Sequence, residues 1–162
     1  MSAQEKYKYE LSWRLFRQSR AVAFKIIKRF DFEEFRVSFK RKVSEVREDK
    51  GAVVIDGYGA RVDILKKPVD VARFKKLLES LGFTIVDRDM IAYYDVDYEV
   101  GVEKVKTKYI VVRYYLDKDG KVVMFDVFPR VTIERVGSKV SFNIVDKLLH
   151  FIGAFLKAKL KA

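Results

Sequence analysis

The stretch IAYYDVDYEVGVEKVKTKYIVVRYYLDKDGKVVMFDVF, residues 91–128, decides the fold class. Successive side chains of a strand point to opposite faces, and this stretch sorts into an apolar face and a mixed face on that period of two. The tetrapeptide DKDG at 117–120 carries residues that a hairpin turn requires. The pattern predicts three consecutive antiparallel strands, at 91–100, near 104–116 and at 121–135.

Helices are predicted on both sides of these strands. The first covers 9–29 and has an apolar stripe at three- and four-residue spacing. This stripe consists of Trp13, Phe16, Arg20, Phe24 and Ile27. A second helix is predicted from Asp31 to about Val46, although RVSFKRKV (36–43) also alternates like a strand. Pro68 and Gly82 bracket a third helix.

Shorter segments complete the predicted fold. AVVIDGYGARVDIL (52–65) indicates a hairpin, and FTIV (83–86) indicates a strand that leads into the central stretch. The predicted class is α+β, an antiparallel β-sheet with N-terminal helices packed on it and a C-terminal amphipathic helix over 140–161. Residues 1–139 are expected to form a single domain, to which residues 140–162 are appended.

Acidic residues alternate along the strand at 91–100. If this strand pairs with the next through a turn near 100–103, every acid meets a lysine, which favours a salt-bridged edge. The predicted pairs are Glu99 with Lys104, Asp97 with Lys106 and Asp95 with Lys108. Farther from the turn, the same register sets Tyr93 opposite Ile110 and Ile91 opposite Val112.

A metal-dependent enzyme is the alternative reading of these acids. Asp95, Asp97 and a later Asp126 resemble the carboxylate pattern of archaeal-type primases, which transfer phosphoryl groups with metal ions. Closing the DKDG hairpin with Leu116 beside Lys121 sets Asp126 opposite Val111, on the face away from Asp95 and Asp97. The primase pattern also needs a His between the two motifs, and the only His is His150. We therefore predict no catalytic residue, cofactor or metal.

The mixed face of the predicted sheet interleaves aromatic rings with arginines. Binders of single-stranded nucleic acid use such surfaces, because bases stack on rings and guanidinium groups bind phosphates. Trp13 is expected in the core, or alternatively in a cleft beside the basic residues of the first helix. The predicted binding residues are Tyr94, Tyr98, Tyr109, Arg113, Tyr115, Phe128, Arg130, Arg14, Arg17 and Arg20. The alternative is that helices cover this face and that Asp126 satisfies Arg113.

Charge and composition favour a polyanionic partner. The 162 residues carry a net charge of +11, and most of the excess lies in residues 1–50 and 138–162. One Asn, two Gln and 35% charged residues predict a hyperthermophilic, archaeal source. The absence of cysteine excludes disulfides and thiolate metal sites.

The final helix carries two adjacent apolar stripes. One is expected to pack on its own domain and the other on a second copy, which predicts a homodimer. The self-association stripe consists of Val145, Leu149, Ile152 and Leu156. No apolar run is long enough to cross a bilayer and the N-terminus has no signal-peptide core, so we expect a cytoplasmic protein without a membrane partner.

These features together resemble the ThermoDBP family, single-stranded DNA-binding proteins of hyperthermophilic archaea. The resemblance runs from ELSWRLF (10–16) through IAYYDVDYEV (91–100) and KYIVVRYYLD (108–117) to the final helix. It implies sequence-tolerant DNA binding in an aromatic cleft and self-association through a zipper-like last helix. The final helix of this chain is short for such a zipper. The predicted function is non-catalytic binding of single-stranded DNA or RNA. The alternatives are the primase-like enzyme and a scaffold subunit of a larger complex.

Overall fold

The structure is a computed structural model that describes residues 3–30, 34–39, 45–49, 52–86, 91–100, 103–133 and 153–154. Its elements are α1 (Ala3–Phe30), β1 (Phe35–Phe39), β2 (Glu45–Asp49), β3 (Ala52–Asp56), β4 (Ala60–Ile64), β5 (Val69–Asp70), α2 (Val71–Ser80), β6 (Thr84–Val86), β7 (Ile91–Val100), β8 (Glu103–Leu116) and β9 (Lys121–Ile133). No helix in these ranges combines the length and the hydropathy of a membrane span.

The strands form one antiparallel sheet around β9. The main order is β1-β4-β9-β8-β7-β6, while β3 and β5 also pair with β9, and β2 pairs with β3. The α+β class, the antiparallel sheet and the N-terminal helix are confirmed. The predicted final helix and its self-association stripe lie outside the described residues, apart from Gly153 and Ala154, which are helical.

The main core lies between the two helices and one face of the sheet. Phe74 on α2 packs against Tyr114 and Phe125, with ring centroids 5.3 and 5.5 Å apart. Buried residues of α1 join the same cluster. Alternate residues of β8 and β9 supply its sheet side, which follows from the period of two. They are Ile110, Val112, Tyr114, Phe125, Val127 and Val131.

The predicted second helix at 31–46 is wrong, because the chain forms β1 and β2 there. Phe35 and Val37 are buried while Arg36 is exposed, which is the alternation of a half-buried strand. β1 pairs along its whole length with β4. Pairing with a neighbouring strand thus overrides the helical spacing, and the strand-like alternation of RVSFKRKV was the better indicator.

The predicted hairpin at 52–65 is also wrong, although both of its strands exist. β3 and β4 do not pair with each other; both pair with β9, over Val53–Asp56 and Ala60–Asp63 respectively. Residues 57–59, Gly-Tyr-Gly, form a bulge between them, where the N–H of Gly57 donates to the carbonyl of Pro129 at 2.9 Å. A Cβ on Gly59 would overlap the backbone of β9. The glycines therefore permit close approach of two strands rather than a tight turn.

The pairing of β7 with β8 agrees with the prediction only beside the turn. Glu99 pairs with Lys104, but a bulge between Val96 and Tyr98 shifts the remaining pairs by one residue. Asp95 therefore pairs with Tyr109 rather than Lys108, and the predicted pairing of Asp97 with Lys106 is wrong. A one-residue shift exchanges the faces of a strand. Consequently Ala92 joins the helix-covered core, and Ile91 packs with Val111 and Phe128 on the opposite face.

The DKDG turn forms as predicted, with Asp117 as its first residue. The N–H of Asp117 donates to the carbonyl of Lys121 at 2.8 Å. Its carboxylate accepts the N–H groups of Asp119 and Lys121, both at 2.9 Å. This closure and a bulge between Tyr115 and Leu116 shift the β8–β9 register by two residues, so that Asp126 pairs with Arg113 rather than Val111. A two-residue shift keeps side chains on their predicted faces, but beyond the bulge Leu116 pairs with Val122, which is buried in the main core.

Candidate nucleic-acid interface

Helix α1 carries two neighbouring stripes. The buried one faces the sheet and consists of Leu11, Leu15, Ser19, Val22, Ala23 and Ile26. The sequence-based stripe lies beside it, and Trp13 and Phe24 are each 50% exposed, so the prediction that Trp13 belongs to the core is wrong. The chosen stripe contains Arg20, whose burial would cost desolvation of a charge, whereas the buried stripe contains no charged residue.

Five rings from three segments form a continuous row, which we call the α1 aromatic row. Trp13 stacks on Phe16 with centroids 5.4 Å apart and planes at 7°. Phe16 meets Tyr58 at 4.8 Å, Tyr58 meets Phe39 at 6.0 Å, and Phe39 meets Phe24 at 4.3 Å, each roughly edge to face. The three middle rings are half-buried, while the two end rings are open to solvent. The row therefore offers ring surface at both of its ends.

The bulge at 57–59 holds the middle of this row. The N–H of Tyr58 donates to the Oγ of Ser19 at 2.9 Å, and the hydroxyl of Ser19 donates to the carbonyl of Leu15 within α1. Together with the bond from Gly57 to Pro129, these contacts tie the backbone of Tyr58 to both α1 and β9. The Tyr58 ring is thereby fixed between its two neighbours in the row.

Two arginines lie over the exposed ends of the row. The guanidinium carbon of Arg17 is 6.0 Å from the centroid of Trp13, and that of Arg20 is 5.5 Å from the centroid of Phe24. Both arginines are exposed, and neither forms an ion pair with a residue that the structure describes. Such exposed cation–π contacts contribute about 0.5–1 kcal/mol. The guanidinium N–H groups therefore remain available for an anionic ligand.

The helix that carries these residues is strongly basic. The sequence of α1, AQEKYKYELSWRLFRQSRAVAFKIIKRF, contains eight Lys or Arg and two Glu. Arg14, Lys25 and Lys28 are exposed along it, as Arg17 and Arg20 are. Positive potential therefore coincides with the aromatic row, which is the combination that attracts a polyanion with planar groups.

The sheet residues of the predicted site behave differently. We call the face opposite the helices the second face and define it by Arg61, Arg113, Tyr115, Asp126 and Phe128. The backbone of Tyr109 pairs with that of Arg130, whereas the backbone of Tyr94 pairs with that of the core residue Ile110. The side chains of Tyr94, Tyr98 and Tyr109 lie outside the described part of the structure.

Two aspartates engage the guanidinium groups of the second face. Arg61 donates from Nε and Nη2 to Asp126 at 2.8 and 3.0 Å, and Tyr115 adds a bond from its hydroxyl at 2.9 Å. Arg130 likewise donates twice to Asp56, at 2.6 and 3.1 Å. Asp126 is thus held by Arg61, not by Arg113 as the alternative reading of the sequence had it.

Phe128 and Arg130, two of the predicted sheet residues, contact each other within the fold. Phe128 is 1% exposed and lies under the guanidinium group of Arg130, at 5.7 Å from its carbon to the ring centroid. Such burial leaves no ring surface for a base, so the prediction of stacking at Phe128 is not supported by its position. Arg113 and Tyr115 are half-buried on the same face.

Tyr115 gives the second face a dependence on alkaline pH. Burial and the hydrogen bond to Asp126 raise the pKa of Tyr115 above its ordinary value of 10.0. On raising the pH the unfolded chain therefore loses this proton first, so the stabilisation is complete below about pH 10 and declines above it. Tyr115→Phe should cost about 1–2 kcal/mol at pH 8, because a bond to a charged acceptor is lost.

The difference between Tyr115→Phe and the wild type should narrow when urea unfolding is repeated at pH 11. Lysines also lose protons between pH 8 and pH 11, but they do so in both proteins, so the change in the difference reports on Tyr115. A difference that stayed constant between pH 8 and pH 11 would contradict this role of Tyr115.

The backbone register separates the carboxylates of the primase-like alternative. Asp95 on β7 pairs with Tyr109 on β8, which in turn pairs with Arg130 on β9. Asp126 on β9 pairs with Arg113 on β8. The β9 residues at these two levels of the sheet, Arg130 and Asp126, are four residues apart, or about 13 Å along the strand. Metal ions in two-metal sites are about 3.5–4 Å apart. Among the described residues, no group of three or more His, Cys, Asp or Glu is placed to hold a metal.

Comparison with known proteins yields no match to a protein-family model, a curated protein or a solved structure. The resemblance to the ThermoDBP family accordingly stays a prediction.

The sequence contained one indication of the α1 aromatic row. Trp13 and Phe24 are eleven residues apart with an arginine four residues inward from each, at 17 and 20. Phe39 and Tyr58 were not predicted as site residues, because their approach to α1 depends on a strand and a bulge that the pattern of the chain assigned to other elements.

Proposed function

We propose that this protein binds single-stranded nucleic acid, DNA in the first instance, without catalysis and through the α1 aromatic row and its arginines. The observation that carries the proposal is the pair of half-exposed rings, Trp13 and Phe24, each with an exposed arginine over it. Bases stack on such rings for about 1–3 kcal/mol each, and the guanidinium groups bind phosphates. The net charge of +11 favours the same partner.

Ring stacking favours a single strand over a duplex. The faces of bases in a duplex are already stacked on one another, so a protein ring reaches them only after unstacking, which costs a few kcal/mol. Every base has a π-face, so stacking tolerates any sequence. Arg14, Arg17 and Arg20 of the sequence-based set belong to this surface, and Arg113 and Tyr115 remain candidate contacts on the second face.

We propose in addition that the protein self-associates through its final helix, that it is cytoplasmic, and that its source is a hyperthermophilic archaeon. A protein partner on the aromatic row, as in a scaffold subunit, is the competing occupant, and it would not produce the strand preference described next.

Trp13→Ala should weaken binding of a labelled oligothymidylate by about 1–3 kcal/mol, or roughly 5- to 150-fold in Kd. The free energy of unfolding of the Trp13→Ala variant should differ from that of the wild type by less than about 1 kcal/mol, since half of the Trp13 side chain is in solvent. Trp13 is the only Trp of the chain, so its fluorescence reports this position alone. Base stacking should quench its emission when single-stranded DNA is added to the wild-type protein, and duplex DNA of equal length should quench it less.

Leu65→Ala serves as the matched control for this substitution. Leu65 is a large exposed apolar residue remote in sequence from α1, so its loss should leave Kd within about twofold. Two outcomes would remove the aromatic row from the binding site. One is an equal loss of affinity in Trp13→Ala and Leu65→Ala, and the other is a wild-type protein that binds single strands without any quenching of its Trp13 emission. Absence of any binding to single strands would reject the proposed function itself.

A further inference from the structure

The two exposed rings of the α1 aromatic row lie on one side of the helix. Trp13 and Phe24 are eleven residues apart, and eleven residues at 3.6 per turn complete about three turns, so both side chains point in nearly the same direction. At about 1.5 Å per residue their Cα atoms are about 16 Å apart along the helix. The site therefore has two separate stacking positions rather than one continuous platform.

The arginines lie between these positions. Arg17 follows Trp13 by four residues, and Arg20 precedes Phe24 by four residues, so the order along α1 is ring, cation, cation, ring. Between the rings, the row is filled by the half-buried Phe16, Phe39 and Tyr58, which meet one another edge to face. The ends present rings for bases, and the middle presents guanidinium groups for phosphates.

We infer that a single nucleic-acid strand runs along α1. One of its bases stacks on Trp13, another stacks on Phe24, and the phosphates between these two bases contact Arg17 and Arg20. The inference rests on the proposed function and specifies its ligand. About 16 Å corresponds to roughly five steps of a strand at 3.4 Å per nucleotide, and to fewer steps when the strand is extended. The ligand is therefore a short single-stranded segment of roughly four to six nucleotides, whose end bases contact protein rings and whose middle bases do not.

Oligothymidylates of two to ten nucleotides test the length. The affinity of the full-length protein, followed by quenching of Trp13 emission, should rise steeply up to about four to six nucleotides. Beyond that length it should rise only slowly, because additional nucleotides merely add equivalent positions. A plateau already at two nucleotides, or a steep rise that continues to ten, would contradict two positions about 16 Å apart.

Abasic nucleotides test which bases are bound. In an oligonucleotide of the plateau length, abasic sites at the two central positions should change Kd by less than about threefold. An abasic site at either end should raise Kd roughly 5- to 150-fold, as expected from the loss of one stacked base. Equal sensitivity at the centre and the ends would overturn the inference while leaving the proposed function intact. Failure of every oligonucleotide to bind would overturn both.

Two variants assign the ends of the strand. Trp13→Ala should abolish the sensitivity to an abasic site at one end only, and Phe24→Ala should abolish it at the other end, which gives the polarity of the strand on α1. These titrations use a label on the oligonucleotide, because Trp13→Ala has no Trp. Both rings are half exposed, so the variants should melt close to the wild type. Loss of sensitivity at the same end in both variants would contradict two independent stacking positions.

Discussion

Replacing Arg61 with alanine should lower the free energy of unfolding by about 3–5 kcal/mol, measured by denaturant titration. The carboxylate of Asp126 is fully buried, with an exposed fraction of 0%, and Arg61 supplies two of its hydrogen bonds. Without Arg61, only the hydroxyl of Tyr115 remains among the contacts described above, and the charge cannot turn towards water. Removal of one partner from a buried ion pair leaves an uncompensated charge, which accounts for the size of the effect.

Two further variants isolate the pair. Arg36→Ala removes an exposed arginine from the neighbouring strand β1 and should stay within about 0.5 kcal/mol of the wild type. The double variant Arg61→Ala with Asp126→Ala should be less destabilised than the sum of its single variants, because each single change leaves the other charge without its partner. A cost below about 1 kcal/mol for Arg61→Ala would show that Asp126 is satisfied by other groups.

Gly59→Ala should destabilise the fold by about 3 kcal/mol, at the upper end of what overpacking usually costs. A Cβ at this position would overlap the carbonyl oxygen of Val127 and would lie 2.6 Å from the Cβ of Phe128. Neither atom can move by rotation about a side-chain bond, so β4 and β9 would have to separate. Thermal unfolding of the variant should show a lower Tm with a single transition.

Gly120→Ala provides the contrast to this substitution. Gly120 adopts a φ of +75° in the DKDG turn, and a Cβ there would meet nothing within 4 Å. Its cost is confined to backbone strain, about 1–2 kcal/mol for a left-handed residue. If Gly59→Ala lowered the free energy of unfolding no more than Gly120→Ala does, the backbones of β4 and β9 could not lie as close together at Gly59 as described.

The pairing of β7, β8 and β9 with their sequence neighbours was predictable, whereas the pairing of β3 and β4 with the distant β9 was not. The strands β7, β8 and β9 were found from alternation and the DKDG turn. The predicted faces of β8 and β9 hold over Ile110–Tyr115 and Met124–Pro129, because the register error there is two residues. The bulge near Asp97 has no signature in a single sequence, so the faces of β7 were exchanged. The Asp-Gly sequence at 56–57 indicates a hairpin by itself, and only contact with Pro129 makes it a bulge.

The sequence-based binding set and the proposed site share their residue types but differ in location. The set consisted of arginines and aromatic residues, and it included Arg17 and Arg20, which lie on the α1 aromatic row. Helical spacing alone did not decide which of two adjacent stripes of α1 is buried, because both contain large apolar side chains. The charge of Arg20 was the distinguishing feature, since an arginine among core residues needs a partner that the stripe does not supply.

The central position of β9 has a consequence for the time at which the domain forms. Arg130 on β9 and its partner Asp56 on β3 are 74 residues apart in the chain. At a translation rate of about 5–20 residues per second, the ribosome needs roughly 4–15 s to add the second partner after the first. During this interval β3, β4 and β5 have been synthesised without the strand that joins them to β8. The nascent chain therefore carries open strand edges until β9, the last strand among the described residues, inserts between them.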